Sequence, residues 1–251
     1  MVSPKLVTAA MLAIGDELLS GRTKDRNIGH LADVLYLAGI DLKEVRIVGD
    51  EEEAIVEALN ALRSRYTYVF TSGGIGPTHD DITADAVARA FGLACVHDPL
   101  AMKLLGEMYD RRGIEFNEAR QRMARMPEGA RHIENKVSTA PGFIIGNVHV
   151  MAGVPQVFTA MLETLVPTLA AGSPMLSRAV TSPFGEGDIG TQLAAIQKAH
   201  PETSIGSYPR FDGNRFSTEI VIRSREEAPA EAVERDVLAM IAEIAAAKSA
   251  K

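Results

Sequence analysis

A disulfide within this chain is ruled out, because Cys95 is its only cysteine, and a thiolate zinc cluster goes with it. Tryptophan is absent and aromatics make up 5% of the 251 residues. The core must therefore come from Ala, Leu, Val, Ile and Met, which favours helices packed on a sheet over a sandwich. No stretch approaches the roughly 20 apolar residues of a membrane span. The N-terminal Met1-Val-Ser-Pro-Lys-Leu-Val lacks the apolar run and small-residue cleavage site of a secretory signal, so the cytoplasm is the expected compartment. Positive charge is also scarce: 26 Lys and Arg against 33 Asp and Glu give a formal charge of −7. Each phosphate contact on a nucleic acid or anionic membrane needs a Lys or Arg, so neither partner is expected. A small anionic ligand needs only one local pocket.

What is present is an alternation of strands and helices. Val7 to Ile14 is an apolar run closing on Gly15, the pattern of a buried strand. From Asn27, Leu31, Val34, Leu35 and Ala38 repeat at helical spacing until Gly39 stops the helix. Ile40 to Val48 alternates as a second strand, and Asp50 opens a helix with Ala54, Ile55, Ala58, Leu59 and Leu62 on one face. Tyr66 to Thr71 is a third strand, and a helix is expected from about Asp81 to Phe91. This order predicts a mostly parallel sheet with helices on both faces. Residues 99–126 read as mainly helical, and strands near Phe143–Ile145 and Val148–Met151 precede a helix from Pro155. Ala170 to Pro174 is the linker candidate, giving a first domain over 1–172 and a small α+β domain over 173–251.

The chemistry concentrates in Thr71-Ser-Gly-Gly-Ile-Gly-Pro-Thr-His-Asp-Asp-Ile-Thr83, between a strand and a helix, where open parallel sheets bind ligands. Gly73, Gly74 and Gly76 let the backbone approach phosphate oxygens, and the next helix N-terminus offers free N–H groups. Asp80 and Asp81 would repel a phosphate unless a cation intervened, so the pair points to a hard divalent ion; capping the helix is the competing role. Two further acidic turns lie at strand ends. Asp50 with Glu53 reads as a capping box, whereas Asp16 and Glu17 follow Gly15 with no helix starting at once.

Ile14-Gly-Asp-Glu-Leu-Leu-Ser-Gly21, Val48-Gly-Asp50 and Gly73 to Thr83 resemble the molybdopterin-binding superfamily, and more narrowly the competence/damage-inducible protein A family. Asn117, Asn135, Ala140-Pro-Gly142 and Gly153-Val-Pro155 continue the match in order, over most of residues 6–170. Arg178 to Ile244, with Ser207-Tyr-Pro-Arg210, is similar to that family's small middle domain. The amidase domain that often follows has no counterpart in these residues, so its activity is not carried over. The resemblance implies a three-layer α/β/α molybdopterin-binding fold. It further implies a phosphorylated nucleotide or a pterin as ligand, because relatives either adenylylate molybdopterin or cleave the pyrophosphate of ADP-ribose or FAD with a divalent metal. Asp50 and Asp81 would be the essential aspartates, with Asp50, Asp80 and Asp81 holding Mg²⁺, Mn²⁺ or Co²⁺. Gly73, Gly74, Gly76 and Thr78 would cradle phosphates, with Asp16 and Glu17 close by. Ser72, Pro77, Thr83, Asn117, Gly142 and Pro155 complete the implied ligand contacts. Ser138 stands where many relatives carry glycine, and Val157 where many carry an acid.

The leading expectation is a metal-dependent nucleotide pyrophosphatase; the alternative is a molybdopterin or nucleotide receptor without turnover, or a step in molybdenum-cofactor assembly. The chain is expected to self-associate as a dimer or trimer, as relatives do. In the second domain Gly187-Asp-Ile-Gly190 resembles the phosphate-clamping loop of KH modules, but Glu186 and Asp188 oppose phosphate there, so a structural role is expected. Met102, Met108, Met123 and Met126 read as core or interface filler, and Arg120, Arg122 and Arg125 as a solvated helix face.

Overall fold

The computed structural model describes residues 6–249; residues 1–5, part of the stretch read above for a leader, lie outside them. The chain forms two compact units, divided between Gly172 and Ser173. The first contains β1 (Val7–Ile14), α1 (Asp16–Leu19), α2 (Asn27–Leu37), β2 (Ile40–Val48), α3 (Glu52–Arg63), β3 (Tyr68–Ser72) and α4 (Thr83–Phe91). It continues with β4 (Cys95–His97), α5 (Pro99–Arg111), α6 (Glu118–Gln121), β5 (Arg125–Pro127), β6 (Arg131–Ile133), β7 (Gly142–Ile145), β8 (Val148–Met151) and α7 (Pro155–Leu165).

Six strands form the main sheet in the order β2-β1-β3-β8-β7-β6. The first four run parallel, while the β8–β7 and β7–β6 pairs are antiparallel. The reversal follows from chain length. Only Gly146 and Asn147 separate β7 from β8, and Gly146 has φ of 56°, a connection that closes a hairpin but not a crossover. The central strands β1, β3 and β8 are buried on both sides because both faces are covered, whereas the edge strand β2 carries Asp41, Lys43, Glu44 and Arg46. Ala10, Leu12 and Ile14 of β1 pack with Ile55, Leu59, Val87 and Leu105 from α3, α4 and α5. Ala9 and Met11 face Leu31, Leu35, Phe158 and Leu162 from α2 and α7. This is the three-layer α/β/α arrangement, with the ends of the parallel strands aligned at one edge.

The second unit contains β9 (Leu176–Ser182), α8 (Glu186–Ala199), β10 (Ser204–Phe211), β11 (Phe216–Ser224) and α9 (Glu227–Ser249). Its antiparallel sheet, β10-β11-β9, buries Val180, Ile220 and Ile222 against Ile189, Leu193, Val233 and Val237. The KH-like reading of Gly187–Gly190 needs correction. These residues lie inside α8 rather than in a loop, and Asp188 is paired with Lys248 Nζ at 2.8 Å. Among the described residues no helix is long and apolar enough to cross a membrane.

Candidate functional site

The turns that follow β1, β2, β3 and β8 surround a cavity of about 570 Å³. Its wall holds Gly15, Glu17, Asp50, the run Gly73 to Pro77, Asp80, Asp81, Asn135, Ser138 and the run Ala152 to Pro155. Apolar surface comes from Ile14, Met123, Ala140 and Val157.

Asp16 and Asp50 form a reciprocal clasp across 34 residues of sequence. The Asp16 backbone N–H donates to Asp50 Oδ2 at 2.9 Å, and the Asp50 N–H donates to Asp16 Oδ1 at 3.3 Å. A Cβ on Gly49 would lie 2.5 Å from Asp16 Oδ1, so glycine there lets the two turns meet. The clasp overturns the capping-box reading of Asp50. Helix α3 begins at Glu52 with Glu51 at its N-cap and no side-chain cap, and Glu53 is drawn instead to Arg89 at 3.0 Å. The expectation that no helix follows Gly15 is corrected too, since α1 starts at Asp16. Burial raises the Asp50 carboxyl above the usual aspartate range; the charges of Asp16, Glu17 and Asp80 push the same way, against the Asp16 N–H. A half-buried acid with a raised pKa in a cleft is a candidate functional carboxylate.

The glycine-rich turn is shaped first by the protein's own atoms. Gly73 has φ of 108°, and a Cβ there would stand 2.2 Å from the Ile14 carbonyl oxygen. The Thr83 hydroxyl donates to Gly73 O at 2.9 Å, and its backbone N–H donates to Gly74 O at 3.0 Å. Gly76 accommodates the Asp81 carboxylate, which would lie 2.6 Å from a Cβ. Neither Asp80 nor Asp81 caps α4, which starts at Thr83 with Ile82 at its N-cap. Asp81 Oδ2 instead accepts the Thr78 N–H at 2.8 Å and the Thr78 hydroxyl at 2.5 Å. Asp80 is exposed, and the exposed His79 ring lies 3.9 Å away.

Of the residues singled out by sequence, Glu17, Asp50, Gly73, Gly74, Gly76, Pro77, Asp80, Asp81 and Pro155 thus share one cavity. Asp16, Thr78 and Thr83 lie behind the wall and hold its turns. Ser72 accepts from Asn27 Nδ2 at 2.7 Å, and the same amide reaches Gly153 O at 2.8 Å. Asn117 is not in the wall; it caps α6 by accepting the Arg120 N–H at 3.1 Å. Gly142 is core, where a Cβ would meet Val150 O at 2.4 Å. Sequence reasoning missed Thr23; Met123, read as filler, packs against the core and also lines the cavity. Asn135 and Ser138 entered only through the resemblance. Buried Asn135 donates to Ser138 Oγ and Ala140 O and accepts the Val137 N–H, which ties the 135–140 loop into shape. An Asn followed closely by Ser is the sequence signal of such a turn.

The cavity wall contains carboxylates and no Lys, Arg or His. Among the described residues no three His, Cys, Asp or Glu side chains stand close enough to hold a metal alone.

Residues 10–171 match the probable molybdopterin binding domain family, and residues 174–249 match the FAD synthase middle domain family. A CinA-like protein of Desulfosudis oleivorans is 36% identical over 214 residues, covering 81% of this chain and 52% of the relative. The chain therefore spans about half of that relative's length. A protein of Pyrobaculum aerophilum is 34% identical over 236 residues, covering 88% of this chain and 89% of its own. The crystal structure of CinA from Thermoplasma acidophilum, a protein described as of unknown function, superposes with a TM-score of 0.60 at 29% identity. It covers 65% of this chain and 98% of that one.

Proposed function

The chain belongs to the probable molybdopterin binding domain family, and from that premise we propose that it is a divalent-metal-dependent hydrolase of nucleoside diphosphate compounds. Its substrates are of the ADP-ribose or FAD type; the match of residues 174–249 to a FAD synthase middle domain supports including FAD among those tested. The observation that carries this reading is the convergence of Glu17, Asp50, Asp80 and Asp81 with the glycine turn on a cavity wall that has no cationic side chain. A diphosphate enters such a site only with a cation of its own, because unneutralised like charges repel strongly at short range.

Asp80 and the free oxygen of Asp81 would hold the ion together with phosphate oxygens, since one or two carboxylates suffice for a magnesium-like ion. When bound, a divalent ion neutralises charge on the phosphates and polarises phosphorus toward attack. The residues of the chain do the rest. Asp50, its Oδ2 pinned by the Asp16 N–H, takes the proton from the attacking water. The water oxygen bonds to one phosphorus, the bridging P–O bond breaks, and its electron pair leaves on the second phosphate. ADP-ribose then gives AMP and ribose 5-phosphate. Ile14, Met123, Ala140 and Val157 line the same cavity and limit the water around the reacting phosphate.

A second reading, binding of a pterin or nucleotide without turnover, draws on the lack of a preformed group of three metal-binding side chains among the described residues. One experiment separates the two. Purified protein is incubated with ADP-ribose or FAD and Mg²⁺, Mn²⁺ or Co²⁺, and AMP is followed by chromatography. Metal-stimulated AMP release is expected; its absence with every metal ends the hydrolase reading and leaves the receptor.

A further inference from the structure

Three arginines at 120, 122 and 125 look alike in sequence, and the structure assigns them three different tasks. Arg120 donates to the Glu115 carbonyl and lies over the Tyr109 ring. Arg125 is paired with the Asp85 carboxylate. Arg122 alone of the three crosses to the glycine-rich segment: its Nε donates to the Thr78 carbonyl at 3.1 Å and its Nη2 to the Asp81 carbonyl at 3.0 Å. The solvated-face expectation is therefore wrong for it, and for Arg125, which lies in β5 rather than on a helix.

Those two carbonyls are the ends of the four-residue turn that carries both carboxylates of the loop. Inside the turn, the Asp81 N–H donates to Thr78 O at 3.3 Å, and Thr78 donates twice to Asp81 Oδ2. These bonds close the turn on itself but do not attach it to the rest of the domain. Arg122 supplies that attachment from the outer side. It is absent from the cavity wall and lines a separate surface groove with Cys95, His97 and Arg125. A guanidinium presents two donors in one rigid plane, so it can span two carbonyls at once; a lysine ammonium is a point donor on a flexible stem.

We propose that Arg122 is a positioning residue for the site: it clamps the Thr78–Asp81 turn from behind and so fixes the carboxylates of Asp80 and Asp81 toward the ligand. Its contribution to catalysis rests on the hydrolase reading above; its grip on the turn does not. The fixed positive charge behind the loop also opposes the mutual repulsion of the acids in front, without touching the substrate.

The test compares Arg122→Met and Arg122→Lys with the unaltered full chain, using two independent readouts. The first is amide hydrogen exchange of residues 76–82. Losing two charge-assisted bonds at a half-buried site should speed it by about tenfold or more in both variants, with little change in residues 173–249. The second is the kinetics of AMP release with saturating Mn²⁺. Here kcat should fall roughly 10–100-fold while KM stays within about threefold, because misplaced carboxylates weaken the transition state more than substrate binding. Arg122→Lys, which keeps charge and loses the fork, should recover less than half of the lost kcat. Unchanged exchange over 76–82 in Arg122→Met overturns the proposal whatever the kinetics do, and so does full recovery by Lys. If the unaltered chain releases no AMP, the hydrolase reading fails, and the exchange measurement still decides the clamp.

Discussion

Charge is handled in opposite ways at the cavity edge of the first unit and in the second unit. In the second unit, several acids are paired with the chain's own cations. Arg178 reaches Glu231 and Glu234, Arg210 pairs with Glu219 at 2.6 Å, and Lys248 pairs with Asp188 at 2.8 Å. At the cavity edge, Asp16 and Asp50 hold each other's backbone N–H groups, and no ion pair among the described residues involves Glu17, Asp50 or Asp81. Self-neutralised acids stabilise a fold. On the proposed reading, the cavity-edge acids, whose carboxylates pair with no Lys or Arg among the described residues, are held in place for a cation that arrives with the ligand.

The comparison breaks most visibly at Asp50. Asp50→Asn should lower metal-dependent AMP release by roughly 10²–10⁴-fold, the usual contribution of a positioned acid or base. The same change should leave the melting temperature equal or higher. A carboxyl whose pKa is raised by folding binds its proton more readily folded than unfolded, so its ionisation costs stability as pH rises through the folded value. The amide removes that cost and still accepts the Asp16 N–H. A melting temperature several degrees lower would show Asp50 to be structural.

Glycines sharpen the contrast between the two units. Gly73→Ala, with φ of 108° and Ile14 O only 2.2 Å from the new carbon, should destabilise by about 3 kcal/mol or more in denaturant titrations. Gly190→Ala, inside α8 with nothing within 4 Å of its Cβ, should stabilise by about 0.5–1 kcal/mol. Histidines differ in the same sense. His200 is hydrogen-bonded to Asp236 at 2.8 Å, whereas His149 stacks on Phe70 in the core, where burial drives its pKa down to about 4. Its stabilising effect is complete above the unfolded value near 6.5 and is lost as pH falls toward 4, about 3 kcal/mol in all. His149→Phe should flatten that part of the stability–pH curve; an unchanged slope would assign acid sensitivity elsewhere.

Much of the architecture was legible because apolar runs of strand length, each ended by glycine, alternate with helical repeats. Leu31 and Leu35, or Ile55 and Leu59, are buried as their spacing predicts. The register shift between Ala9 and Ala10 in the β1–β2 pairing and the antiparallel end of the sheet were not legible. Both depend on pairing geometry rather than periodicity. The glycine turn was found by its composition, yet Asp50 was first assigned a local cap, since capping boxes are written in adjacent residues. The Asp16–Asp50 clasp and the Arg122 clamp join positions 34 to 44 residues apart. No local pattern encodes such pairs. Asn117 was misplaced for the same reason, its cap being local and its distance from the cavity not.

The central claim is that this cavity accepts a diphosphate only in company with a cation. Calorimetric titration of a methylene-bridged, non-hydrolysable ADP-ribose analogue, with Mn²⁺ or with EDTA, tests it directly. Affinity should be at least about a hundredfold stronger with Mn²⁺, since uncompensated like charges cost several kcal/mol. Equal affinity in EDTA would contradict the account.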